Sequence, residues 1–275
     1  MKNKLGLLGL FCLIFCAISS AAVCQPFYKS RAEIYDSWHI CRTRPQGIDG
    51  YFQLSEDKFH PLIVFESLGR NADIAYKLGE EFRARYPDSY QRAEAIYNFV
   101  RDRVRYTHDR DQFGYAEFAQ NADELVQEIN KGEARGDCED YAVLLTTMFK
   151  AAGYRTAIVL IPGHAAALVF LPGYPKARTF LTFSQESGWI WAEATGRRNP
   201  LGWVPQKALQ GQAIAFEIGR AEELVRKPFP KGEITEIQRK RRIISISPFF
   251  FIIFIMWIIP MISRIFLVSF LRRGH

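Results

Sequence analysis

The sequence predicts an α+β domain, helices first and an antiparallel sheet second, with a hydrophobic membrane segment at each end. Three observations predict it. Apolar residues recur at helical spacing in four stretches between Asn71 and Ala152. From Thr156 to Thr195 the pattern changes to short apolar runs punctuated by Gly163, Gly173, Pro175 and Gly188. Two uncharged runs, 5–23 and 243–262, lie outside that body and are flanked by basic residues.

Residues 25–68 carry mixed aromatics, Gly and Pro without a period, and read as an irregular segment covering the core. The first helix spans Asn71 to Tyr86 through Ile74, Leu78 and Phe82, and Pro87 stops it. Ser89 caps the second, which runs to Tyr106 through Ala93, Ile96, Tyr97, Val100 and Val104. The third, Asn121 to Asn130, opens with a capping box formed by Asn121 and Glu124. The fourth, Cys138 to Ala152, ends at Gly153. Strands are expected at Thr156–Ile161, His164–Leu171, Arg178–Phe183 and Trp189–Thr195. No repeat or low-complexity tract appears, so the body reads as one domain.

The chain of 275 residues has a formal net charge of +7, but its distribution argues against nucleic acid. Nine of the 36 Lys and Arg lie before residue 5 or from Arg239 onward, where none of the 29 acidic residues falls, so the body carries a net −2. Residues 1–24 fit a signal peptide or N-terminal anchor, and 239–275 a basic linker and transmembrane segment. Lys2 and Lys4 favour a cytosolic start, whereas the basic cluster from Arg239 to Arg242 favours a cytosolic body. A long domain translocates largely regardless of such charges, so an extracytoplasmic body is expected. There Cys24 and Cys41 could pair, and the absence of a CxxC motif disfavours zinc.

Three polar residues stand out. Cys138 opens a helix, where the positive end of the dipole lowers a thiol pKa and backbone N–H groups can face an oxyanion. Most isolated cysteines are instead small core residues. His164 opens an apolar strand between Gly163 and Ala165, whose small size leaves room for a reacting partner; a core or surface histidine is the plainer reading. Glu193 shares a strand face with Trp189, Trp191 and Thr195, and a carboxylate among aromatics needs a partner such as an imidazole N–H. An edge-strand carboxylate is the alternative.

The order Cys, His, acid across one helix and two later strands is more specific than any of the three. Gly136-Asp137-Cys138-Glu139-Asp140-Tyr141-Ala142 resembles the nucleophile motif of the transglutaminase-like superfamily, which has a papain-like cysteine peptidase fold. Pro162-Gly163-His164-Ala165 and Trp191-Ala192-Glu193-Ala194-Thr195-Gly196 are similar to its His and acid motifs, and the likeness covers about 90–205 within an expected domain of 25–238. Many members carry Asp where this chain has Glu193. In the related bacterial transglutaminase-like cysteine proteinases, acids beside the nucleophile help bind calcium, and Asp137 and Glu139 match them, with Asp140 nearby. The bland reading is that these acids complement the helix dipole and no cofactor is held.

The resemblance implies a membrane-attached thiol peptidase, amidase or acyltransferase using Cys138, His164 and Glu193 on a protein or peptide substrate, without nucleic acid. The alternative is a non-catalytic binding module of the same fold at the cell surface.

Overall fold

The structure, a computed structural model, describes residues 27–36, 39–47, 49–55, 58–61, 73–210, 213–218 and 231–239. The two apolar runs, Cys24 and the cluster 240–242 lie outside the described residues. Among the described residues no helix is long and apolar enough to cross a membrane. The chain divides into two units, Met1–Arg239 and Lys240–His275, and everything below concerns the first.

The architecture is α+β. Helices α1 (Asp73–Arg85), α2 (Ser89–Arg103), the short α3 (Asp109–Gln112), α4 (Ala122–Lys131) and α5 (Cys138–Ala151) precede the main sheet. The cap of α2 is Asp88 rather than Ser89, its carboxylate accepting from the Gln91 N–H at 2.8 Å. The capping box of α4 is present, with Asn121 and Glu124 satisfying each other's backbone donors. At the end of α5 the N–H of Gly153 reaches Lys150 O and that of Tyr154 reaches Phe149 O, both at 3.0 Å. This is the Schellman closure, and it requires the positive φ of Gly153, +90°.

Strands β8 (Thr156–Ile161), β9 (His164–Phe170), β10 (Thr179–Phe183) and β11 (Glu186–Ala192) follow α5. They are joined by β12 (Ile214–Glu217) and β13 (Lys231–Arg239) into a closed barrel of order β10-β11-β9-β8-β12-β13. Strand β12 is only four residues long and β13 carries Lys231, Glu233, Glu236 and Arg239, so the sequence pattern shows only four strands. Arg239 pairs with Thr179, so the sheet extends to this residue and the expected boundary after 238 falls one residue early. Both faces of the barrel wall are covered. Ala157, Val159, Leu168, Trp189 and Trp191 fill the interior, while Ile158, Ala167, Val169 and Ile190 pack outward into the helical core. A strand buried on both faces reads as a continuous apolar run, as these do.

Two sequence expectations change. The described residues within 25–68 are not irregular: β1 (Tyr28–Ser30), β2 (Glu33–Tyr35), β3 (Cys41–Gly47), β4 (Gly50–Ser55) and β5 (Lys58–Pro61) form a five-stranded sheet in sequential order. The strands are short, β3 slips register between Cys41 and Gln46, and Arg31, Ala32 and His39 take positive φ, so no two-residue period develops. The expected strand Trp189–Thr195 is shifted: it runs from Glu186 and ends at Ala192. Glu193 lies just beyond it, where the chain turns away and the Gly202 N–H returns to Trp191 O at 2.9 Å.

Helix α5 is the centre of the molecule, with eleven consecutive residues from Glu139 to Phe149 all buried. It packs on α1, α2, α4 and β9. Helix α1 crosses it at Gly79, where an added Cβ would sit 2.6 Å from both Ala151 Cβ and Met148 O. Gly→Ala in an ordinary helix interior stabilises by about 1 kcal/mol. At this crossing the clash reverses the sign, and Gly79→Ala is expected to destabilise by about 1–3 kcal/mol. Thermal unfolding of the variant measures it; an unchanged or raised Tm would contradict the close approach.

Candidate active site

The site begins at the N-terminus of α5. Strands β6 (Arg105–Tyr106) and β7 (Arg135–Gly136) pair in parallel just before it, placing Tyr106 opposite Gly136. Gly136 is required there, because a Cβ would lie 2.6 Å from Asp140 Oδ2. The Asp140 carboxylate turns back to accept from the Asp137 N–H at 3.2 Å, the Gln120 N–H at 2.7 Å and Gln120 Nε2 at 2.9 Å. Asp140 thereby fixes the entry of the helix and so the position of Cys138, its first residue.

His164 follows the Pro162-Gly163 turn joining β8 to β9, with Gly163 at φ +70°, and Ile161 pairs with His164. The backbone N–H of the next residue, Ala165, lies close enough to the Cys138 sulfur to favour its charged form. This contact brings the start of α5 against the start of β9. His164 Nε2 lies 2.6 Å from Glu193 Oε2. A carboxylate only accepts, so Nε2 carries the proton and Nδ1 is the ring nitrogen left for another partner.

Glu193 is 3% exposed and its carboxylate is fully engaged. Trp191 Nε1–H donates to Oε2 at 3.2 Å, and the Thr195 hydroxyl donates to Oε1. Tyr97, wholly buried, directs its hydroxyl at Glu193 O and Asn199 O, at 2.5 and 2.8 Å, and so holds the turn that carries the acid. Burial opposes the charge on Glu193, but the hydrogen bonds and positive charge of His164, with Thr195 and Trp191, outweigh it and lower its pKa.

Cys138 and His164 line one cavity of about 580 Å³, walled on one side by Gln46, Tyr51 and Phe52 of β3 and β4. Its floor is acidic. Asp109, at the start of α3, and Glu117 join Asp137 and Glu139 there. No local motif marks Asp109 or Glu117, which lie 27 and 19 residues before Gly136, and the sequence reading did not select them. Burial, then the neighbouring Asp137, raises Asp109 to about 7, and burial likewise raises Glu139 and Asp140 well above the carboxylate range.

The thiol follows them. Burial, then Glu139 and Asp137, pushes the Cys138 pKa up, against the Ala165 N–H, and the S–H donates to Glu139 Oε2 at 3.2 Å. At Cys138 the helix terminus is therefore opposed by burial first and by Glu139 and Asp137 next.

The acidic floor also fits a hard cation. One oxygen each from Asp109, Glu117 and Glu139 lie within 4.8 Å of one another, as do those of Asp109, Asp137 and Asp140. Two oxygens each about 2.3–2.6 Å from one calcium lie at most about 5 Å apart, so this spacing is compatible with a shared ion. Oδ1 of Asp109 and of Asp137, both buried, accept no hydrogen bond from an N–H or O–H donor. Of the acids the sequence resemblance singled out, Asp137 and Glu139 belong to this group, whereas both oxygens of Asp140 are occupied by Asp137 and Gln120.

Residues 76–208, from within α1 to the helix α6 (Gln206–Gln210), match the family model described as transglutaminase-like superfamily. No curated protein matches the chain.

The lowered pKa of Glu193 has a pH signature. Its stabilising effect is present above the ordinary glutamate value of 4.5 and is lost as pH falls through the lower folded value. The stability gap between the parent and Glu193→Gln, read by denaturant unfolding, is therefore expected to narrow as the solution is taken below that value. A gap independent of pH would mean that the His164 contact does not hold Glu193 ionised.

Proposed function

With residues 76–208 forming a transglutaminase-like superfamily domain, we propose that the protein is a cysteine-dependent enzyme of amide carbonyls. The observation that carries this reading is the His164–Glu193 pair at 2.6 Å on the wall of the cavity that holds Cys138, with the Ala165 N–H near the sulfur. In this reading Cys138 Sγ attacks the carbonyl carbon and its proton passes to His164 Nδ1. Backbone N–H groups at the start of α5 face the oxyanion. The C–N bond breaks, the proton goes to the leaving amine, and a thioester remains on Cys138. Water then releases an acid, or a second amine forms a new amide, and the thiol is regenerated. Hydrolysis is favoured because water is always present, which makes a peptidase or amidase the leading form and a transglutaminase-type acyltransferase the other.

Glu193 keeps the imidazole tautomer and stabilises the imidazolium. Because the resting thiol is held neutral, the proton must move during attack, and the base depends on its acid partner. Asp109, Glu117, Asp137 and Glu139 are the residues that would hold a calcium ion. Calcium bound there supplies positive charge that offsets the carboxylates crowding the thiol. Membrane attachment through 5–23 or 243–262 and an extracytoplasmic body remain part of the proposal on sequence pattern.

Incubating the purified full-length protein with a membrane or periplasmic extract tests the reaction. New peptide termini, or amine incorporation, are expected by mass spectrometry and should vanish in Cys138→Ala. Identical products from both proteins would favour a binding module. On a substrate so identified, Glu193→Gln should lower turnover by about 100- to 10,000-fold. Full activity would leave a Cys–His dyad. For the cation, thermal unfolding in calcium chloride against a chelator should show a raised Tm, with the shift reduced in Asp109→Asn; a Tm indifferent to calcium sinks the cation site.

A further inference from the structure

A second cavity, of about 270 Å³, opens on the far side of His164. It shares Ile161, Gly163 and His164 with the first, so the two halves meet at the imidazole. Their chemistry is opposite. The Cys138 half is lined by Asp109, Asp111, Glu117, Asp137 and Glu139. The far half contains Glu193, but that carboxylate is consumed by His164, Trp191 and Thr195. What it offers a ligand is Trp203, Asn199 and Lys207.

Each of these three is available. Trp203 is 42% exposed, one of four large hydrophobic side chains among the described residues that stand so open. Lys207, on α6, makes no ion pair or hydrogen bond among the described residues, and the Asn199 side-chain amide has no partner among them either. An ammonium and an amide without internal partners, beside an exposed indole, complement a carboxylate carried on an apolar or backbone stem. The Cys138 half, with five acids against Arg110, offers a carboxylate no comparable set of donors, so the two halves of the groove differ in what they accept.

We propose that the Trp203–Asn199–Lys207 cavity is a substrate subsite that takes a carboxylate of the peptide on the far side of the scissile amide from the acidic wall. Trp203 packs on the chain next to the carboxylate, and Lys207 reads its charge. The dipolar groove thus fixes the direction in which a peptide lies across Cys138 and His164. That orientation rests on the function proposed above; binding at the subsite does not.

The test uses the full-length Cys138→Ala protein, which cannot turn a peptide over, and fluorescein-labelled octapeptide pools. One pool has Asp at a fixed position and an amidated C-terminus, a second has Asn there, and a third has Asn with a free C-terminal carboxylate. Fluorescence anisotropy gives the affinities. An exposed ion pair predicts that the Asp pool binds about two- to fivefold more tightly than the Asn pool. Lys207→Gln should erase that preference, and Trp203→Ala should weaken both pools together. A preference for the free-terminus pool instead assigns the subsite to a chain end, with the same dependence on Lys207. Equal affinities for all three pools, no measurable binding, or a preference that survives Lys207→Gln would overturn the proposal. Selective binding without any Cys138-dependent turnover by the parent protein would remove the enzyme reading and leave the subsite standing.

Discussion

The start of α5 is the constraint on which the site depends. Four things must be satisfied at that point: the free N–H groups of a helix, a half-buried cysteine, the start of strand β9 and a cluster of acids. Gly136 and Asp140 meet the first, the carboxylate folding back over a glycine that has no side chain to oppose it. Ala167 of β9 is small enough for the helix to settle on the sheet, and the Ala165 N–H comes near the sulfur there. The rest of the helix is buried on all sides, so the position of Cys138 is set by packing along the whole of α5 and not by local contacts alone.

The same crowding creates the electrostatic problem of the site. Taking Asp109, Glu117 and Glu139 out of water disfavours the negative charge on each, and the thiolate of Cys138 is disfavoured in the same way. The helix dipole is worth a fraction of a charge, and at Cys138 it is opposed by burial first and by Glu139 and Asp137 next. On the other side of the groove the balance is the reverse, because Glu193 has three donors and remains ionised. In the proposed reading the two sides divide the work: the Glu193 side prepares a base, and the acidic side takes a cation.

Much of this was legible in the sequence because it is locally encoded. Helix starts at Asn121 and Cys138, the Gly153 stop and the Pro162-Gly163 turn are each written in a few adjacent residues, and the structure has them there. The end of the Glu193 strand was misplaced by three residues because Trp191, Glu193 and Thr195 keep a strand-like alternation after the backbone has left the sheet. The N-terminal sheet was missed because its strands are short and joined by positive-φ residues that blur any period. Asp109 and Glu117 were invisible for a different reason. Their significance comes from packing α3 and the following loop against α5, which no spacing along the chain records. Raising the thiol pKa is likewise a property of the assembled acids, where the sequence shows only a cysteine at a favourable helix terminus.

The central claim is that Cys138, served by His164, accepts an acyl group. Brief incubation of the full-length protein with p-nitrophenyl acetate in calcium, an acid quench and peptide mapping by mass spectrometry tests it without knowledge of the natural substrate. The expected result is an acetyl thioester on Cys138 that forms faster than on the buried Cys41 and that is lost in His164→Ala. Acetylation spread over surface lysines with Cys138 unmodified, or acetylation of Cys138 that is indifferent to His164, would contradict it.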